Sequence, residues 1–495
     1  MATGKMSDLP LTAEGKAYQV IISRIDGLKV SEPEYRNAQF QLVAKGIGGF
    51  IVFGGMREEI AGFIAEAQSR ADIPLFLASD IERGVGQQIE GMTPFPCQMA
   101  MAAAIERSDK DDINLLMEAL LYVAAEAKET GINMALTPVL DINRNPDNPI
   151  ICTRAFSDDP ETTSWFGTQY INILEGQGII SCAKHFPGHG DTATDSHIAL
   201  PVIRKTAEQL KALDLAPFRE AIRSGVSSIM LGHLSIPALD ARPASLSHRI
   251  INGLLRQEMG FKGLVLTDAL NMHALGEYGD AGLECLKSGA DILLHPENAH
   301  KTASSLQLAL EENRLDTDVL DKAVKRILDK KFLLANRVIS SSDTGVHQLL
   351  SQRLSQKSVT LLEDPSGILP LRDGEASFIM SGDSKYFTNS IFNTAINTDA
   401  SGTIVIAIFT SVAAWHGTSG ISDVERNRLN ALIRTARRSV VISFGSPYVL
   451  RYFDDADALV AAYEPSIQAQ QAALNCLYGK APFTGKLPVN LSGRH

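Results

Sequence analysis

Eight short apolar runs, spaced by amphipathic stretches, constrain this chain more than any other feature. They are Val20–Ser23, Gly49–Phe53, Leu75–Ser79, Asn133–Thr137, Ile179–Lys184, Ser228–Gly232, Leu264–Thr267 and Asp291–His295. The runs are continuous rather than alternating, the pattern of strands covered on both faces. Helical patterns lie between most of them, among them Arg57–Arg70, Asp111–Thr130, Ala207–Ser224 and Ala281–Ser288. Gly131, Gly178, Gly225 and Gly289 end four helical stretches just before the next run, where a left-handed C-terminal cap is wanted. A repeated helix–Gly–strand unit predicts a parallel α/β architecture. About eight repeats over roughly 300 residues favour a closed TIM-type (β/α)8 barrel over an open doubly wound sheet.

The chain has 495 residues, enough for a barrel and a second unit. Asp316–Asn336 reads as a closing helix and Ile339–Gly345, ISSSDTG, as a linker. Five further apolar runs follow: Ser358–Leu362, Ser377–Met380, Thr403–Phe409, Val440–Phe444 and Ala458–Tyr463, with a helical pattern at Ser422–Arg438. The expected division is a barrel over 1–338, a linker over 339–345 and a smaller α/β domain over 346–495.

A formal charge of −11 argues against a general nucleic-acid or anionic-membrane surface. No apolar stretch is long enough for a transmembrane helix. The N-terminal MATGKMSDLPLTAEGK lacks an apolar secretory core. Cys97, Cys152, Cys182, Cys285 and Cys476 are isolated, and read as reduced, mostly buried thiols. The expectation is a cytoplasmic protein that binds neither nucleic acid nor membrane, its oligomeric state open.

Barrel active sites form at the C-terminal ends of the strands. The polar residues that follow the runs are Asp80 and Glu82; Asp141, Arg144 and Arg154; Lys184 and His185; His233; Asp268; and His295. Lys184–His197, KHFPGHGDTATDSH, holds three His, two Asp and one Lys in fourteen residues. In an extended loop Asp195 and His197 point to the same side, so the carboxylate can hold the imidazole as a proton shuttle. His185, His189 and His197 also allow a metal reading. Without Cys ligands or an HExxH spacing, the expectation is no metal and no cofactor. Asp268 directly follows the run Leu264–Thr267, either as a catalytic carboxylate or as a helix N-cap.

KHFPGHG-x(4)-DSH together with LVLTDALNM resembles glycoside hydrolase family 3, in particular its bacterial β-N-acetylhexosaminidase branch. The likeness spans about Ala17–Leu334, and the opening of the second domain, SVTLLED…GILPLR, resembles that family's C-terminal αβα sandwich. The resemblance implies Asp268 as nucleophile and His197 as acid/base with Asp195 as its partner. Asp80, Arg154, Lys184 and His185 would hold the sugar's hydroxyls. Independently of the resemblance, a nucleophilic Asp268 must stay ionised, which a nearby cation such as Lys184 would help. The common D-x-E-G-G-R-V reads here Asp80-Ile81-Glu82-Arg83-Gly84-Val85-Gly86. Arg83 thus replaces a glycine and the later Arg is absent. The implied activity is exo-acting, retaining removal of GlcNAc from β-linked glycans, such as cell-wall fragments in peptidoglycan recycling. Alternatives on the same site are a β-N-acetylglucosaminide phosphorylase, a β-glucosidase or a catalytically degenerate sugar-binding protein. The second domain, with Trp415, His416 and Tyr448, is expected to serve as scaffold or dimer surface.

Overall fold

All eight apolar runs of the first part become strands. They are β1 Ile21–Asp26, β2 Gly49–Phe53, β3 Phe76–Ser79, β4 Met134–Ala135, β5 Ile180–Phe186, β6 Ser228–Leu231, β7 Leu264–Thr267 and β8 Leu293–Leu294. The computed structural model describes residues 11–195, 199–334, 344–394, 402–413 and 417–492. The strands pair in the order β7-β6-β5-β4-β3-β2-β1-β8, each pair parallel. A parallel bridge between Leu266 and Ile292, with Thr267 N donating to Ile292 O at 3.0 Å, brings the two ends together, so the sheet is a nearly closed barrel. Side chains on both faces are buried, which is why these segments read as unbroken apolar runs.

The capping glycines behave as their positions demand. Gly131 and Gly289 sit at φ 82° and 111° and end the helices Lys110–Thr130 and Ala281–Ser288. The helical pattern at Ala207–Ser224, by contrast, forms two helices, Ala207–Ala212 and Leu215–Arg223. Pro217 explains the break. It has no N–H to donate to residue 213, and it is tolerated only in a first turn, so a new helix starts just before it. The end of the expected linker also differs. Residues 339–343 lie outside the described residues, while Thr344 and Gly345 already open the helix Thr344–Ser358.

That helix ties the two parts together. Its Leu350 and Leu354 belong to the barrel's core, and His347 stacks on Tyr122 and meets Glu126 Oε1 at 2.7 Å. The second domain has a sheet of β9 Thr360–Glu363, β10 Ala376–Gly382, β11 Thr403–Phe409, β12 Arg438–Phe444 and β13 Ala458–Ala461. Their order is β10-β11-β12-β13-β9, with only β9 antiparallel. Val405, Ala407 and Phe409 face one cluster with the helix Ile467–Leu477. Ile406 and Ile408 face another with Leu429 and Ile433 of the helix Asp423–Thr435. Helices therefore cover both faces, as an αβα sandwich requires. The second cluster also takes in Cys97, Met99, Ala100, Ala103 and Cys152 of the barrel unit, so the two domains share one apolar interface. All five cysteines are free and buried. Among the described residues no helix is long and apolar enough to cross a membrane.

Candidate active site

The strand-end residues converge because a closed parallel barrel points all eight C-terminal ends at one rim. A cavity of about 560 Å³ opens there, lined by Asp80, Glu82, Arg154, Lys184, His185, His189, Asp268 and His295, among others. Of the seven expected site residues, Asp80, Arg154, Lys184, His185 and Asp268 thus share one cavity. Asp195 is buried in the loop after β5 and does not line it. His197 lies outside the described residues. Of the other strand-end residues, Arg144 does not line the cavity. His233 is buried, with Ser245 Oγ at 2.8 Å and the Ala269 carbonyl at 3.3 Å.

Glu82 is the hub of the polar network. Arg154 donates to it through Nε at 3.0 Å and Nη2 at 2.8 Å, and Lys184 Nζ lies 2.7 Å from Oε1. Lys184 also donates to Asp80 Oδ1 at 2.6 Å. The carboxylates that bind the Lys184 ammonium directly are Asp80 and Glu82. They follow β3, the strand two places from β5, and their acceptors reach the ammonium first. Burial alone would push the Glu82 carboxyl up, but the charges of Arg154 and Lys184 hold it well below the usual carboxylate range. Burial alone would lower Lys184, yet Asp80 and Glu82 hold it above the ordinary lysine value. The network stays ionised and offers fixed donors and acceptors to a polyhydroxylated ligand.

A second anchor is Asp141. Its carboxylate meets His185 Nδ1 at 2.7 Å and accepts from the backbone N–H of His189 at 2.6 Å and of His185 at 3.2 Å. It orients the His185 ring, whose Nε2 stands 3.4 Å from Arg154 Nη2. Burial pushes His189 down to about 4, and its Nδ1 lies 2.9 Å from Thr192 Oγ1. The described part of the loop after β5 is pinned at several points. Asn148 Nδ2 donates to the carbonyls of His189 and Gly190, and Lys205 pairs with Asp191 and Asp214 at 2.5 and 2.7 Å. Gly190 is required there, because a Cβ would stand 1.9 Å from the Ile142 carbonyl oxygen.

Asp268 immediately follows β7. Its N–H donates to Leu231 O at 3.0 Å, and its Oδ1 accepts from Ala269 N at 2.8 Å. No helix starts at Asp268. The next helical turn, His273–Tyr278, begins after Met272, so the N-cap reading does not apply.

The second domain contributes more than a scaffold. Tyr386, Thr410, Gly445, Tyr463 and Glu464 line the same cavity. Tyr448 does not; its hydroxyl donates to the Asn143 carbonyl at 3.0 Å and accepts from Asn143 Nδ2 at 2.9 Å, across the domain interface. Trp415 and His416 lie outside the described residues. Among the described residues no group of three or more His, Cys, Asp or Glu is placed to hold a metal ion. Asp141 and Glu82 follow strands and were within reach of the strand-end argument. The Glu464 wall gave no local signal.

A parallel barrel whose rim carries a carboxylate beside an ionised network of two cations and two carboxylates has the layout of a barrel enzyme's active site. The chain belongs to glycosyl hydrolase family 3: residues 19–329 match the model of that family's N-terminal domain. The chain is 34% identical over 368 residues to beta-hexosaminidase A of Pseudoalteromonas piscicida, covering 66% of this chain and 61% of that protein. It therefore spans less than two thirds of that relative's length. It is 26% identical to a beta-N-acetylglucosaminidase/beta-glucosidase of Cellulomonas fimi, over 93% of this chain and 91% of that one. Among solved structures, a family 3 beta-N-acetylglucosaminidase from Paenibacillus sp. str. FPU-7 superposes with TM-score 0.84 at 28% identity, covering 98% of this chain and 100% of that one.

Proposed function

We propose that this protein is a retaining, exo-acting β-N-acetylhexosaminidase that removes terminal GlcNAc from β-linked glycans. What carries the reading is one observation: Asp268 shares a single cavity with the Asp80–Lys184–Glu82–Arg154 network and with His185. The network grips the hydroxyls of one sugar, and Asp268 lies beside that sugar as the nucleophile. The names of the relatives support the N-acetylhexosamine part of the reading.

In the first step Asp268 attacks the anomeric carbon, and the bond to the leaving oxygen breaks. Imidazolium His197 protonates that oxygen, giving a glycosyl ester on Asp268. In the second step His197 takes a proton from water, the water oxygen attacks the anomeric carbon, and Asp268 leaves as a carboxylate. Two inversions give net retention. Asp195 orients the imidazole and stabilises its charged form. The substrate we favour is a cytoplasmic GlcNAc-β-1,4-linked cell-wall fragment of the kind handled in peptidoglycan recycling.

The direct test is hydrolysis of the 4-nitrophenyl β-glycosides of GlcNAc and of glucose, side by side, with and without phosphate. Faster release from the GlcNAc compound, giving free sugar, is expected. Preference for the glucoside would overturn the N-acetyl specificity, and a phosphate-dependent sugar 1-phosphate would replace hydrolysis by phosphorolysis.

A further inference from the structure

Two consecutive residues after β3 point to different ends of the cavity. Glu82 turns inward, to Lys184 and Arg154. Arg83 turns to the second domain, where its Nη1 stands 3.7 Å from Glu464 Oε2. Glu82 and Arg83 are the central residues of the turn closed by Gly84 N–H donating to Ile81 O at 3.1 Å, so their side chains leave the backbone in different directions. Arg83 therefore lies outside the Asp80–Lys184–Glu82–Arg154 network, on the side of the cavity walled by the second domain.

The pairing of Arg83 is incomplete. A guanidinium carries five N–H donors, and 3.7 Å is beyond a hydrogen bond. Among the described residues Glu464 is its ion-pair partner, and that carboxyl is already engaged. Oε2 accepts from Cys97 N at 3.2 Å and Oε1 accepts from Ser466 Oγ at 3.1 Å. Burial also pushes the Glu464 carboxyl up, against the opposing charge of Arg83, which makes it a weaker competitor for that cation. The Arg83 side chain keeps 42% of its exposure, and both residues line the cavity. Its planar fork matches a carboxylate geometrically, as a lysine would not.

We propose that Arg83, steadied by Glu464 across the domain interface, determines specificity for an aglycone that carries a carboxylate. The proposal rests on the hexosaminidase reading and names the chemistry of the group that leaves. It explains why the cavity needs a wall from the second domain: Glu464 holds the guanidinium against the opening without taking up its donors.

The test compares 4-carboxyphenyl and 4-carbamoylphenyl β-N-acetylglucosaminides, which share a shape and differ in charge, on the full chain. The quantity read is the ratio of their kcat/KM values in wild type, Arg83→Lys and Arg83→Gln. That ratio is expected to fall about tenfold in Arg83→Gln, equivalent to ~1.4 kcal/mol, with Arg83→Lys between. Damage to folding would lower both substrates together and leave the ratio unchanged, and an unchanged ratio overturns the proposal. If wild type cleaves neither compound, the hexosaminidase reading itself fails, a result distinct from an unchanged ratio.

Discussion

The Arg154 guanidinium meets the Glu82 carboxylate as a fork on a fork, Nη2–Oε1 at 2.8 Å and Nε–Oε2 at 3.0 Å. Glu82 and Lys184 are buried and Arg154 and Asp80 partly so, and together they form a set of two cations and two carboxylates. Removing one charge from such a set leaves the others unpaired, which costs more than the pair contributes. Glu82→Gln is therefore expected to lower stability by about 3 kcal/mol and to reduce kcat/KM by more than a hundredfold. Urea unfolding and steady-state kinetics check both, and a variant with wild-type values in both would refute the role of Glu82 as hub.

Asp141 touches no substrate in this account, yet it fixes the His185 ring and two backbone amides. Asp141→Asn keeps the shape but offers an N–H to at least one of those donors. A drop of about tenfold to a hundredfold in kcat/KM is expected from one lost charged hydrogen bond, mostly through KM. A change confined to thermal stability would show that Asp141 only supports the loop.

Acid should weaken the fold through His189. Burial pushes it to about 4, while an unfolded histidine titrates near ~6.5. Between these values the unfolded chain binds the extra proton, so the contribution is intact above ~6.5 and is lost as pH falls towards 4. His295, pushed to about 4 by burial and by Arg24, adds loss in the same window. The urea midpoint should drop between pH 7 and 5, and His189→Gln should drop less. An equal drop in both would exclude His189 as a source.

At the opposite end of the barrel Lys331 is fully buried, with Gln19 Oε1 at 3.0 Å and the Phe76 ring 5.0 Å away. Burial pushes its ammonium down to about 7. The unfolded lysine holds its proton to ~10.4, so stability should rise as pH climbs from 7 towards that value. Lys331→Met is expected to raise Tm at pH 7 and to abolish that rise. A lower Tm at both pH 7 and pH 9 would contradict the account.

The second domain should be indispensable. Cys97, Met99, Ala100 and Ala103 share one apolar cluster with Ile406, Ile408 and Val441, and Tyr463 and Glu464 wall the cavity. A chain ending after Ser340 is expected to aggregate or to lose activity. A soluble, fully active truncation would return the domain to a scaffold role.

Much of this was legible in the sequence because the barrel is built from local signals. Unbroken apolar runs such as Gly49–Phe53 and Leu264–Thr267 fall on the observed strands, and Gly131 and Gly289 cap where their φ freedom is needed. Five site residues follow from the rule that barrel chemistry gathers at strand ends. What escaped was long-range or local in a subtler way. Glu464 reaches Arg83 from 381 positions away, with no periodicity to announce it. Lys184 reaches back about a hundred positions to Asp80 and Glu82, a pairing that no local pattern announces. Pro217 broke a helix whose apolar spacing runs straight through it.

The most direct test of the account is Asp268→Ala assayed on 4-nitrophenyl β-N-acetylglucosaminide with added azide. Loss of about ten-thousandfold in kcat is expected, with the fold intact by circular dichroism. Azide should then enter the vacated face and restore release, giving the α-glycosyl azide. Turnover within tenfold of wild type, or a β-azide product, would contradict Asp268 as the nucleophile.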